Sequence, residues 1–178
     1  MVIGQMAPAI YVLDIKGEIA SLKDLKGKNV ILEWTNPECP FVKKHYDTHN
    51  MQATQKAALD KGAVWISINS SAKGKQGYMD AEEANAIIME QNAYPSHVVL
   101  DPKGELGRLY GAMTTPHIFI IDVDGKLIYT GAIDNNPSLN PEHVKNAKNY
   151  VMATLDALSS GEAVTEAQTK PYGCGIKY

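Results

Sequence analysis

Apolar and polar positions alternate along the chain in short blocks that change period several times. Ile10–Leu13 reads as a strand, Asp14-Ile15-Lys16-Gly17 as a turn, and Glu18–Ala20 as a second strand. Ser21 opens a short helical turn closing at Gly27. Asn29–Trp34 (NVILEW) is almost continuously apolar, as expected of a central strand covered on both faces. The pattern then becomes helical from Pro40 to Lys61 and stops at Gly62. A second buried strand, Ala63–Asn69, precedes a Gly/Ser/Lys-rich loop over Ser70–Gly77. A helix follows over Asp80–Gln91, with Ala84, Ile87, Ile88 and Met89 as its apolar surface. His97–Leu100 is a brief strand and Leu106–Tyr110 a short helix. A hairpin follows, His117–Asp122 and Lys126–Thr130 about a turn at Val123-Asp124-Gly125. One last helix is expected from Pro141 to Leu158, with Asn140 as its N-cap.

Strands alternating with helices and ending in a hairpin predict an α/β domain with a central mixed sheet flanked by helices. A length of 178 residues suits one such domain. We place it at residues 1–158. Residues 159–178 are polar, then end in Lys170-Pro171-Tyr172-Gly173-Cys174-Gly175-Ile176-Lys177-Tyr178, and read as a tail strapped to that domain.

Composition narrows the function. Net charge is −3 and Arg108 is the only arginine, so there is no basic footprint for nucleic acid or anionic lipid. No apolar run approaches the roughly eighteen residues a membrane helix needs. The start, Met1-Val2-Ile3-Gly4, lacks the basic and apolar regions of a signal peptide. Two cysteines, Cys39 and Cys174, are too few for a secreted disulfide framework and suit redox work better.

Cys39 follows a buried strand by one short loop and directly precedes Pro40, a residue favoured at the first helical position. Free N–H groups and the helix dipole at such a position stabilise a thiolate, and a thiolate is the nucleophile. Lys43 and Lys44, about one turn on, add positive potential. The arrangement favours a reactive sulfur over a buried structural cysteine.

Gly4-Gln5-Met6-Ala7-Pro8, Ser21–Lys28, Val30–Trp34 with Cys39-Pro40, and Thr114-Thr115-Pro116 before the HIFIID strand together resemble the redoxin and peroxiredoxin branch of the thioredoxin superfamily. The Trp-Thr-Asn-x-x-Cys-Pro-Phe-Val run and the Tyr-Gly-Cys-x-x-Lys-Tyr tail are similar to an AhpC/TSA-type, peroxiredoxin-like group. The resemblance implies a thioredoxin-like fold and a thiol-dependent oxidoreductase with Cys39 as nucleophile toward a peroxide or a protein disulfide. An external thiol would restore it, and no cofactor or metal is implied. Relatives with this tail look exported, which sets a periplasmic location ahead of a cytoplasmic one.

Two departures shape that expectation. The thioredoxin pattern has a second cysteine three positions after the first, where this chain has Val42, so a disulfide within one helical turn is excluded. Peroxiredoxins place Thr or Ser three residues before the cysteine and an arginine on a distant strand. Here Asn36 takes the first position, and Arg108 precedes the Thr-Pro element. Asn36 could still hydrogen-bond a substrate, less strongly than a guanidinium.

Glu33, six residues before Cys39, matches the buried acid of thioredoxins. Desolvation should raise its pKa and suit it to acid–base work. The resemblance implies a cis Thr115–Pro116 bond presenting substrate to Cys39. Cys174, between two glycines, suits a resolving thiol that attacks an oxidised Cys39. Residues 159–171 extend to roughly 40 Å, enough to reach within one chain, though a partner chain's Cys39 would serve equally. His45 and His49, four apart, read as a solvated helix face rather than a metal site, and Trp34 and Tyr46 as packing residues. His117 could approach the site if strand alternation allows. The competing reading is a redox-sensing or client-binding module that forms mixed disulfides without efficient turnover.

Overall fold

The computed structural model describes every residue, Met1–Tyr178. Five strands make the central sheet: β3 (Val30–Trp34), β4 (Val64–Asn69), β5 (His97–Leu100), β7 (His117–Ile121) and β8 (Leu127–Gly131). Their spatial order is β5-β4-β3-β7-β8. β3, β4 and β5 run parallel, while β7 pairs antiparallel with both β3 and β8. The sheet is therefore mixed and flanked by helices. A hairpin of β1 (Tyr11–Leu13) and β2 (Ile19–Ser21) precedes it, and the two-residue strands β6 (Thr114–Thr115) and β9 (Cys174–Gly175) pair beside it.

β3 is buried along its whole length, which explains its unbroken apolar run. Val30, Leu32 and Trp34 join one core layer with Ile66, Ile68, Phe119 and Tyr110. Ile31 faces the other layer, with Val42, Met51, Trp65, Ile118, Val151 and Leu155. Burying each such side chain contributes about 2 kcal/mol, so this strand is held firmly at the centre of the sheet. It ends beside the cysteine loop.

Two expected helices are each divided. The Pro40–Lys61 pattern forms α1 (Pro40–Asp47) and α2 (Asn50–Asp60). Thr48 Oγ1 donates to the Lys44 carbonyl at 2.7 Å, and His49 adopts a left-handed φ of 58° that re-aims the chain. The Pro141–Leu158 pattern gives a 3₁₀ turn over Pro141–Asn146, capped by Asn140 as expected. A separate helix α5 (Tyr150–Ser160) has Asn149 as its N-cap, accepting from Met152 N at 3.0 Å. Asn149 Nδ2 also donates to Thr54 Oγ1 at 2.8 Å, tying α5 to α2.

The remaining helices are α3 (Ala81–Glu90) and α4 (Glu105–Tyr110). α3 opens with a capping box of Asp80 and Glu83. Ala84 is buried in it, but Met89 is exposed, a correction to the expected apolar face. Ser21 ends β2, and the turn expected there runs over residues 22–27. No helix is long and apolar enough to cross a membrane.

The tail lies against the domain. Thr130 N donates to Ala167 O and Thr169 N to Thr130 O, both at 3.0 Å. β9 adds to β6, and Ala72 N donates to Lys177 O at 2.8 Å. Tyr178 donates to Ala112 O at 2.8 Å with the Arg108 guanidinium 4.6 Å from its ring centroid.

Candidate active site

The loop after β3 is shaped by Asn36. Its Oδ1 accepts from Glu38 N at 2.9 Å, its Nδ2 donates to Gln76 O at 3.4 Å, and its carbonyl accepts from Cys39 N at 3.0 Å. A Cβ at Gly77 would collide with its amide, so glycine is required there. Asn36 thus braces the turn that delivers Cys39, with its amide engaged by the loop.

Cys39 is the N-cap of α1, in extended conformation, with Pro40 opening the helix. It is fully buried. Its Sγ lies 3.1 Å from the Thr115 carbonyl oxygen and 2.7 Å from Cys174 Sγ, and the two cysteines are not bonded. The Thr115–Pro116 peptide bond is cis, as the resemblance implies. In the β6–β9 ladder Thr115 stands opposite Cys174. Four of the six residues singled out from the sequence are therefore in one place: Cys39, Cys174, Thr115 and Pro116.

The two sulfurs are electrostatically unequal. Burial opposes ionisation of Cys39, but it is outweighed by hydrogen bonds that include the Cys174 thiol and the Val42 N–H, so its pKa is lowered. The Thr115 hydroxyl is buried and has no hydrogen-bond partner. Cys174 is pushed up to about 11 by burial and by donating toward Cys39. The first proton therefore leaves Cys39, and Cys174 stays a thiol beside the thiolate.

Glu33 is completely buried on the central strand, paired in register with Ser67 and Ile118. Its carboxylate accepts from Tyr46 Oη, Trp65 Nε1 and Ser67 Oγ at 2.9 Å each, and from Gln55 Nε2 at 3.4 Å. Burial raises its pKa against those four donors. Cys39 is not among its hydrogen-bond partners. Tyr46 is more than a packing residue, since it is this carboxyl's closest phenol.

Other expectations are corrected. His45 is buried, not on a solvated face, and Lys44 is buried, donating to Asn136 O, Ser138 O and the tail's Tyr172 Oη rather than to the sulfur. His117 accepts from Met113 N at 3.3 Å and bonds Thr130 Oγ1 at 3.2 Å, which occupies both ring nitrogens. Arg108 donates to Lys103 O and covers the Tyr178 ring. Tyr172 and Asp134 drew no notice in the sequence, yet Tyr172 Oη donates to Asp134 Oδ1 at 2.5 Å two residues before Cys174. Only the Tyr-Gly-Cys run hinted at it.

The chain is similar to several known proteins. A profile described as the AhpC/TSA family matches residues 3–130. Thiol-disulfide oxidoreductase ResA of Bacillus thuringiensis subsp. konkukian is 30% identical over 135 residues, covering 72% of this chain and 68% of that protein. Sporulation thiol-disulfide oxidoreductase A of Bacillus subtilis is 28% identical over 128 residues, 67% of this chain and 68% of that one. An uncharacterized conserved protein from Geobacillus kaustophilus has a similar structure, with a TM-score of 0.82 and 28% identity, covering 99% of this chain and 92% of its own. The thioredoxin domain of a thiol-disulfide oxidoreductase from Bacteroides vulgatus gives a TM-score of 0.57 at 28% identity, over 73% of this chain and 88% of its own. The family match over residues 3–130, with the 30%-identical relative, shows that the chain belongs to the AhpC/TSA family.

Proposed function

We propose that this thiol-dependent oxidoreductase works by a two-cysteine cycle in which Cys39 attacks and Cys174 resolves, within one chain. The observation that carries the reading is the 2.7 Å approach of two sulfurs with opposite pKa shifts. A disulfide of a client protein is the favoured substrate class. The Cys39 thiolate attacks one sulfur of the client, the client S–S bond breaks, and the leaving thiolate takes the electron pair and a proton. Cys174 then loses its proton and attacks Cys39 Sγ, which forms the Cys39–Cys174 bond and frees the second client thiol. The client gains two electrons and the cysteine pair loses them. An external thiol reductant returns them by the same exchange.

Thr115 and Pro116 would hold the substrate beside Cys39, with Asn36 fixing the loop. Glu33 would exchange protons with the site at one remove, through the buried polar network around it. Peroxide is the second substrate class: the Cys39 thiolate would attack one oxygen and become a sulfenic acid while the other oxygen leaves, protonated, as water, and a second water would leave when Cys174 attacks. The engagement of Arg108 with Lys103 and Tyr178 leaves no guanidinium beside the sulfur to polarise that bond.

An aromatic disulfide that releases a coloured thiolate tests the cycle. Wild type should release one equivalent per chain in a first phase and another on resolution. Cys174→Ser should stop after the first and keep a mixed disulfide on Cys39. A Cys39→Ser chain that still gave the first phase would refute the assignment. A wild type that stopped at the mixed disulfide would support the non-turnover binding module instead. Hydrogen peroxide in place of the disulfide gives the relative rate of the second class.

A further inference from the structure

The tail is fastened two residues before Cys174 by contacts that the sulfur chemistry does not itself require. Tyr172 packs its ring edge-to-face on Phe41 of α1, centroids 5.7 Å apart, with Lys44 Nζ 5.1 Å from its own centroid. Its hydroxyl donates to Asp134 Oδ1 at 2.5 Å, accepts from Lys44 Nζ at 3.3 Å, and lies 3.0 Å from His45 Nε2. The tautomer of His45 follows from its other nitrogen. Asn50 Nδ2 lies 2.9 Å from Nδ1, and an amide nitrogen only donates, so Nδ1 accepts and Nε2 carries the hydrogen toward Tyr172.

Lys44 and Asp134 are both buried, at 5% and 2% exposure, so each needs partners to offset the loss of water. One hydroxyl serves both, accepting from the cation and donating to the anion. Asp134 Oδ1 otherwise accepts only from Asn136 N at 3.0 Å, and Oδ2 is buried with no partner, 3.9 Å from His45 Nε2. The pocket is complete only while Tyr172 fills it. Slack between this anchor and the sulfur is one residue, Gly173. Its φ is 143°, and a Cβ there would collide with the Thr115 carbonyl. Beyond it, β9 contributes only two residues of ladder.

We propose that the Tyr172 hydroxyl, held by Lys44, His45 and Asp134, is a latch that positions Cys174 over Cys39. It sets both how often Cys39 is uncovered for a client and how readily Cys174 returns to resolve it. Tyr172 is a positioning residue, and the inference rests on the two-cysteine cycle. A latch makes two opposed demands: weakening it exposes the nucleophile and, in the same protein, slows the resolving step because the local concentration of Cys174 falls.

Tyr172→Phe keeps the ring and removes the hydroxyl, which separates these effects from loss of packing. In the full chain, iodoacetamide should alkylate Cys39 about tenfold faster in Tyr172→Phe/Cys174→Ser than in Cys174→Ser alone. With Cys174 present, Tyr172→Phe should slow the second release of coloured thiolate about tenfold. It should also lower the equilibrium constant of the Cys39–Cys174 disulfide against glutathione by a similar factor. Asp134→Asn, which keeps an oxygen acceptor for the phenol but loses its charge, should move all three in the same direction by less. Equal urea midpoints of the reduced proteins show whether the fold stands; if Tyr172→Phe fails this, Asp134→Asn decides. Unchanged rates, or faster alkylation without slower resolution, overturn the latch. If wild type itself never forms the Cys39–Cys174 bond, the cycle beneath the latch falls as well, and the two failures are distinct.

Discussion

The difference between the two sulfurs comes from placement, since both are the same thiol. Cys39 sits at a helix start and receives donors, whereas Cys174 gives one and is half-buried beside a forming negative charge. Glu33 obeys the same logic with the opposite sign. Its folded pKa is raised by burial, so the stability of its neutral form is present below the ordinary carboxylate range and is lost as pH rises through the raised value. Glu33→Gln should therefore gain stability relative to wild type as pH rises, read as a widening gap in urea midpoints. It should also shift the pH profile of the coloured-thiolate assay if the carboxyl exchanges protons with the site; an unmoved profile would confine it to a structural role. Two histidines run the other way. Burial lowers His45 and His117 to about 4. Their neutral forms stabilise the fold fully above about pH 6.5, and this is lost as pH falls toward 4, roughly 3 kcal/mol for each at full effect. Urea midpoints between pH 7 and 4 should fall accordingly, and a flat profile would contradict the buried-neutral assignment. Cys39, Glu33 and the Thr115–Pro116 element were legible because each sits at a fixed offset from a strand end. The Tyr172 pocket was not, because its partners lie 127 and 38 residues from it along the chain and become neighbours only through the fold.

At the scale of elements, the hydrophobic period located all five sheet strands to within a residue or two, but it missed the breaks inside helical patterns. Nothing at Thr48-His49 resembles a breaker; the interruption depends on a hydroxyl turning back on Lys44 O and one residue at positive φ. The second break rests on Asn149, whose side chain both caps α5 and reaches Thr54. Asn149→Ala should cost about 1–2 kcal/mol in urea unfolding, while Asn140→Ala, on an exposed 3₁₀ turn, should cost less. The β6–β9 pairing was also beyond a sequence reading, since two-residue strands carry no period. Gly173→Ala tests it. The added methyl meets the Thr115 carbonyl, so the tail should lift and Cys39 should become more reactive to iodoacetamide. Unchanged protection would mean that the ladder does not cover the sulfur.

Across the whole molecule, the family match ends at residue 130, and the tail that brings the second sulfur lies beyond it. The family domain by itself presents one cysteine at a helix start; the tail lays a second sulfur over it. A cycle of attack and resolution then requires the tail to leave and return, because a fully buried Cys39 cannot meet a client. We propose residues 170–178 as the moving unit, hinged at the Thr130 contacts of Ala167 and Thr169. Peptide mapping of the singly oxidised protein, digested without reduction, tests the central claim most directly. The account predicts one cross-linked peptide pair joining Cys39 to Cys174 in a monomeric chain, formed at limiting oxidant. Oxidised chains linked Cys39 to Cys39, or carrying a stable sulfenic acid or mixed disulfide on Cys39 with Cys174 free, would contradict it.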